Sequence, residues 1–586
     1  MTVVRTSHSS RRLLLLAALA ALVGLVAGGA AWVLVHLIGL ITNVALFHRF
    51  GWELPSFEDL PHGPGLVVVA ATGGVVVSII ARWAPAVRGH GIPETMEAVL
   101  TRQSRVAPRM AVAKPLSAAV AIGTGGPFGA EGPIIVTGGA LGSLVGQLVP
   151  MSASERKVLL ASGAAAGMAA TFGAPLAAVV LVIELLLFEF STRAFVPLVV
   201  ATSVAGGVHA LLFGDGPLFR VPAHDFVGLG HLPLFALLGL ACGLLAVVVT
   251  KGLFLVEAGF RRLPVGEFWH PVIGAVGFAV VGLVVPSALG VGYDRIGAVL
   301  DGRLAVGALV VLGLAKLVAW WIALGSGTSG GTLAPLLLIG GTFGALLGHL
   351  AGSALPGLDL GPGVFAIVAM AATFGAATRA TFASIVFLFE LTGDYRLILP
   401  LMLAAVLASL VAGALLDHGL MTETLTRRGV TAIGDYHADV LASTSVAEVM
   451  TTEVVVVPAG LSVDGARAVV GTTGHHAFPV VDERGRCVGV VSRADLLGTD
   501  ASDAPVLDVA GVDVVAVAPT TPVLEALHLM LLESVDHLPV LDDGALVGIC
   551  TRTDVLAARH RQLDAERPQP GWAPWLGRSR PLPDRP

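Results

Sequence analysis

Charge is scarce in this 586-residue chain: Asp, Glu, Lys and Arg together make up 13% of it, against about 25% in an average soluble domain. Hydrophobic residues make up 55%, and a mean hydropathy of +0.85 excludes a wholly soluble protein. Cysteine is nearly absent. Cys242, Cys487 and Cys550 lie far apart without a CxxC pair, which argues against a disulfide framework and a zinc site and suits a tail in a reducing cytoplasm. An excess of basic residues is missing too: the formal net charge of -6 offers no field for nucleic acid. None of the 17 histidines is followed by glutamate, so the HExxH site of an intramembrane metalloprotease is lacking. A Walker A loop is also lacking, so nothing powers transport by nucleotide hydrolysis, and the body has too few acids for the rings of a magnesium channel. The chain is read as a non-enzyme that requires no cofactor.

The charge that is present is unevenly spread. Residues 441–586 hold 30 of the 76 charged side chains, and residues 1–440 hold the other 46. That contrast predicts a polytopic membrane body followed by a soluble tail. Near the N-terminus, Arg11 and Arg12 precede an apolar run that continues to about Phe47, too long for the core of a signal peptide. It reads as a first membrane helix. Arg5, Arg11 and Arg12 start the chain, Arg82, Arg88, Arg102, Arg105 and Arg109 fill a later loop, and Arg427 and Arg428 follow the last apolar run. The positive-inside rule puts these segments on the cytoplasmic side of a multi-pass protein of the plasma membrane.

The body repeats itself. GTGGPFGAEGP (123–133) meets GSGTSGGTLAP (325–335) at an offset of 202, aligning Gly123, Gly125, Gly129 and Pro133 with Gly325, Gly327, Gly331 and Pro335. At the same offset GGALGSLVGQL (138–148) meets GGTFGALLGHL (340–350), and MAATFGA (168–174) recurs letter for letter at 370–376. Repeat-built transporters and channels place their sites at Gly/Pro-interrupted helices in matching positions of the two halves. Here those positions are glycine-dense loops leading into apolar helices, with proline just inside the helix start. Two helix N-termini meeting there would form an anion site from backbone N–H groups and partial positive charge. Tight helix packing accounts for GGALG and GGTFG but not for the glycines around Glu131.

Glu131 is a carboxylate at membrane depth, a functional candidate by default, and its repeat partner is Leu333. Ionised, it would occupy the same amide cradle as a free anion; protonated, it would leave. The plainer alternative is a simple helix-start acid. Glu184 and Glu390 occupy matching positions near the ends of matching helices and suit a structural role as well as a functional one.

These residues carry a resemblance to the voltage-gated chloride channel and chloride/proton antiporter (CLC) family. Its typical signatures GSGIP, GREGP and GxFxP read here GHGIP (Gly89, His90, Gly91, Ile92, Pro93), GAEGP (Gly129, Ala130, Glu131, Gly132, Pro133) and GTLAP (Gly331 to Pro335, with Thr332 and Leu333 at its centre). The resemblance covers roughly residues 12–430. It implies an all-α membrane domain with an inverted internal repeat and a homodimer in membrane lipid with one ion pathway per subunit. It further implies chloride or another small anion held at these motifs and Glu131 as the extracellular gate, with protons as a second substrate in exchangers. Departures are instructive. His90 stands at the anion-coordinating serine position, Leu333 at the phenylalanine of GxFxP, Met421 at the inner-gate tyrosine and Ala130 at the arginine before the glutamate. Leu185 stands where exchangers often carry an inner glutamate, an apolar residue that resembles the passive channels. The expected activity is proton-coupled antiport, with a passive channel as the alternative.

The tail is a second, shorter repeat. HHAFPVVDERGRCVGVVSRADLL (475–497) parallels DHLPVLDDGALVGICTRTDVL (536–556), and the alternation of apolar runs, helical stretches and ERG or DDG turns predicts two βαββα units. They resemble a pair of cystathionine-β-synthase (CBS) domains, at 446–498 and 506–557. That resemblance implies a regulatory module that can bind an adenine nucleotide, with Ser492, Asp495, Thr551 and Asp554 as ribose-site candidates; the same aspartates could simply cap the helices that follow. His475 and His476 read as surface residues, not metal ligands. The expected division is a cytoplasmic N-terminus (1–11), membrane repeats at about 12–215 and 216–430, a linker (431–445), the CBS pair, and a Pro/Arg-rich disordered tail (563–586).

Overall fold

The computed structural model describes residues 10–428, apart from 61–62, 188–189, 220, 222–223, 225–226 and 356–359, together with 441 and 444–565. Most of the expected N-terminal segment, the linker and the final tail lie outside the described residues. The chain divides into two compact units, His8–Tyr436 and one running from His437 onward.

The first unit is built from two matching series of helices. The first series is α1 (Ser10–Leu46), α2 (Gly65–Trp83), α3 (Ile92–Thr101), α4 (Met110–Gly123), α5 (Glu131–Leu148), α6 (Ala153–Phe172), α7 (Pro175–Val182, continued by a π-turn over Ile183–Leu187) and α8 (Thr192–Leu212). The second is α9 (Leu232–Arg261), α10 (His270–Val284), α11 (Tyr293–Leu300), α12 (Val306–Gly325), α13 (Leu333–Ala354), α14 (Pro362–Thr378), α15 (Thr381–Thr392) and α16 (Ile398–Leu415), after which α17 (Leu420–Arg427) closes the unit. Among the described residues seven helical segments are long and apolar enough to cross a membrane. By contrast α3, α7, α11 and α15 have 10, 8, 8 and 12 residues, short of the roughly 20 a span needs. Their ends must therefore lie at membrane depth, where irregular backbone is tolerated only inside protein.

Small residues set how closely the helices approach. A Cβ on Gly138 would lie 2.1 Å from the Gly163 carbonyl and one on Gly142 2.0 Å from that of Leu159, so α5 lies directly on α6. Gly344 repeats this against Phe365 in the α13–α14 pair, with its Cβ 2.5 Å from the carbonyl. The GGALG and GGTFG glycines, Gly139 apart, are thus packing residues.

The tail contains a three-stranded sheet, β1 (Val457–Pro458), β2 (Ala477–Val481) and β3 (Cys487–Ser492), and a hairpin, β4 (His537–Asp542) and β5 (Ala545–Thr551). Helices α18 (Val463–Gly471) and α19 (Arg493–Leu497) flank the sheet, and α20 (Val523–Leu532) and α21 (Arg552–Ala565) flank the hairpin. Two small cores result, one around Phe478, Val480 and Val491 and one around Met530, Leu538 and Val540. The opening turn of each unit packs into the other. Val446 joins the second core and Val506 the first, held by Val446 N–H to Thr521 O (2.8 Å) and Val506 N–H to Leu461 O (2.8 Å). Between β2 and β3, the carboxylate of Asp482 accepts from the N–H groups of Arg484 and Arg486 at 2.8 and 2.9 Å. The Arg486 bond does most to hold that carboxyl below its ordinary value.

Candidate anion site

Three helix starts meet at one point. The loops entering α5 and α13 pair as an antiparallel bridge, with Gly129 N–H donating to Gly331 O at 3.2 Å and Gly331 N–H to Gly129 O at 2.8 Å. The convergence expected from the repeat is therefore present, and Gly129 serves it by spending its amide on the partner loop. The turn before α3 completes the group. A Cβ on Gly132 would lie 2.1 Å from the His90 carbonyl and 3.2 Å from Gly331 Cα, so only glycine lets these three segments touch. Gly91, at φ +93°, is left-handed and caps α3, a conformation that favours glycine.

Glu131 opens α5 and is 1% exposed. Its Oε1 accepts a hydrogen bond from the Tyr293 hydroxyl at 3.0 Å. Its Oε2 is buried and has no hydrogen-bond partner, although the backbone N–H groups of Glu131 and Ala334 and the ammonium of Lys316 lie close by. A Cβ on Gly129 would sit 1.7 Å from Oε2, and one on Gly331 2.6 Å from it. The carboxylate therefore fills the space between the two helix starts, where partial positive charge favours an anion.

The remaining candidates fall into two adjoining spaces. Ile92, Gly132, Thr332, Leu333 and Met421 line, with Glu131 and Leu185, a cavity of about 10 Å³, near the minimum for a single water. Ala130 is the N-cap of α5 and is buried, while Pro93 and Pro133 lie in first turns, where a missing N–H is harmless. Gly89, also left-handed at φ +77°, and His90 instead line a vestibule of about 390 Å³ with Arg88, Glu94, Arg261 and Arg428. His90 is 5% exposed and its Nδ1 has no partner. The arginines there are paired: Arg88 with Glu267 at 2.7 Å and Arg428 with Glu94 at 2.8 Å.

Sequence reasoning missed five residues, two buried lysines and three in the turn that opens α11. Lys114 is fully buried and donates to Val87 O and Gly89 O at 2.8 and 2.7 Å, clamping the turn before α3. Lys316, its partner at the offset of 202, donates to Gly290 O at 2.8 Å. Gly290 and Gly292, at φ +62° and +85°, reproduce the left-handed pair Gly89 and Gly91, and Tyr293 follows them as Ile92 follows Gly91. The visible signal was GVG at 290–292 with its lysine at the repeat spacing. Glu184 and Glu390 have reciprocal roles. Glu184 accepts from Phe382 and Ala383 N–H at the start of α15 (3.2 and 2.8 Å). Glu390 accepts from Leu176 and Ala177 N–H at the start of α7 (3.1 and 2.7 Å).

In the tail, Thr551 and Asp554 line a cleft of about 350 Å³ with Thr451, Glu453 and three histidines, His475, His476 and His537. Ser492 and Asp495 are absent from that lining. Both aspartates cap helices: Asp495 Oδ2 accepts from Ser492 N–H at 2.8 Å and Asp554 Oδ2 from Thr551 N–H at 2.8 Å. Burial pushes His537 below the ordinary histidine value, His476 and His475 push the same way, and Asp536 and Asp554 oppose them. Among the described residues no group of three or more His, Cys, Asp or Glu is placed to hold a metal ion.

Residues 72–413 match the family described as voltage gated chloride channel, and residues 446–501 and 506–561 each match the CBS domain. The H(+)/Cl(-) exchange transporter ClcA of Vibrio campbellii is 31% identical over 420 residues, covering 70% of this chain and 88% of that one. A slow cyanobacterial Cl-/H+ antiporter of known structure gives a TM-score of 0.64 at 26% identity, over 70% of this chain and 97% of that chain. A eukaryotic CLC transporter shares the fold with a TM-score of 0.59 at 22% identity, over 93% of this chain and 99% of that chain. A membrane body built from two helical series, glycine-pinned helix starts around one buried carboxylate and a tandem CBS tail place this chain in the CLC family.

Proposed function

We propose that this protein exchanges chloride for protons across the plasma membrane as a homodimer, with Glu131 as the gate and the proton carrier. The observation that carries this reading is the position of Glu131: its carboxylate fills the cradle between the starts of α5 and α13. A free anion and the ionised carboxylate compete for one place, so an anion enters when the carboxylate takes up a proton and withdraws. The vestibule at His90, on the cytoplasmic side by the arginine pattern, supplies that anion, and a neutral imidazole there offers it one N–H. Similar chains named as H(+)/Cl(-) exchangers support proton coupling. Leu185 in the apolar cavity below Glu131 is the feature that favours the second reading, a passive channel.

The tail acts on transport from the cytoplasm. Its cleft fits an adenine nucleoside, with Thr551 and Asp554 at the ribose, since the capping bonds of Asp554 converge on Oδ2. The deciding experiment is flux from liposomes followed with chloride and pH electrodes together. Native protein drives protons uphill as chloride moves down its gradient, and Glu131→Gln abolishes proton movement while chloride still flows. Proton transport unchanged in Glu131→Gln would overturn the gating role, and chloride flux without any proton movement in the native protein would make it a channel.

A further inference from the structure

Tyr293 is a donor for which the exchange reading has so far given no role. It begins α11 directly after left-handed Gly292. Its ring stands edge-on to Phe172 and to Phe219, each at a centroid distance of 6.2 Å. That packing fixes the hydroxyl, which donates to Glu131 Oε1 at 3.0 Å. The matching residue of the first repeat is Ile92, so this donor comes from one side of the cradle alone. When the carboxylate withdraws, the hydroxyl loses its acceptor, and a donor left unsatisfied beside a fully buried site is costly. An anion in the same place restores the bond.

We infer that Tyr293 is an anion-coordinating residue: its hydroxyl bonds the Glu131 carboxylate in the closed state and the transported anion once the carboxylate has left. Two observations point to the anion independently. Glu131 Oε2 is buried without a hydrogen-bond partner although the N–H of Ala334 at the start of α13 lies close by, so the carboxylate fits the cradle incompletely. The glycines at 129 and 331 leave room for an acceptor where a Cβ would otherwise stand. The inference rests on the reading that carboxylate and anion compete for one place.

The test is calorimetric titration of the full-length protein with potassium chloride in three forms: native, Glu131→Ala, and Glu131→Ala with Tyr293→Phe. Glu131→Ala binds chloride more tightly than the native chain because the competitor is gone. Adding Tyr293→Phe weakens that binding about 10- to 100-fold, the range of one hydrogen bond to a charged partner. Equal affinity with and without the phenol overturns the inference and leaves the gating reading intact. No gain of chloride binding in Glu131→Ala overturns both. Where a variant is less stable, the rise of its own melting temperature with chloride still reads binding, and the same loss is expected there.

Discussion

Replacing Glu390 by alanine removes the acceptor for two N–H groups in the first turn of α7. Ala177, the donor at 2.7 Å, is fully buried, whereas Leu176, the donor at 3.1 Å, is 53% exposed. A hydrogen bond to a charged group contributes about 1.5–3 kcal/mol, so the buried bond counts fully and the exposed one in part. The expected loss is about 2–4 kcal/mol. Glu184→Ala removes the mirror-related pair, with buried Ala383 at 2.8 Å and Phe382, 59% exposed, at 3.2 Å, and the loss should be the same within error. Glutamine at either site keeps a neutral acceptor and should recover about half of it. Reversible unfolding in mixed micelles reads the stability, and liposome flux reads transport in the same preparations. Proton-to-chloride stoichiometry should stay constant in every variant that folds. Loss of proton coupling in Glu184→Gln at native stability would refute this reasoning, because the carboxylate would then carry protons and not bind a helix.

Gly132→Ala places a Cβ 2.1 Å from the His90 carbonyl; it should cost about 1–3 kcal/mol and lower chloride binding, while Gly139→Ala, whose neighbours stand at 3.6 Å or more, should change neither in parallel titrations. His537, held below its ordinary value mainly by burial, adds stability to the tail that is fully present above about pH 6.5 and declines as pH falls through the lower folded value. The protection of β4 and α20 amides against hydrogen exchange in the full chain, taken relative to the intrinsic rate at each pH, should therefore fall between pH 7.5 and 5.5, and His537→Gln should flatten that change.

The buried carboxylate and the repeat were legible in the sequence because they rest on glycine, proline and one misplaced acid, residues whose chemistry is local. Glu131 stood out among apolar neighbours, and the shared offset marked where its cradle must be. Tyr293 was not legible, since its meaning depends on a hydroxyl reaching across 162 positions, and the second repeat keeps only the glycines and the lysine of the motif it mirrors. Glu184 and Glu390 were found but left without a choice of role. Each acts on a helix start some 200 positions away, and no spacing rule reaches so far. The tail's units were legible from period and turns. Which opening turn completes which core was not, because Val446 and Val506 fit either core equally well by size and hydropathy.

That exchange of opening turns has a consequence for synthesis. The first CBS unit leaves the ribosome with its core open until Val506 emerges, while the Val446 turn, made first, waits for α20 and β4 before it has anything to pack against. The two units must therefore mature together, and a chain cut between residues 498 and 506 would yield two incomplete pieces instead of two domains.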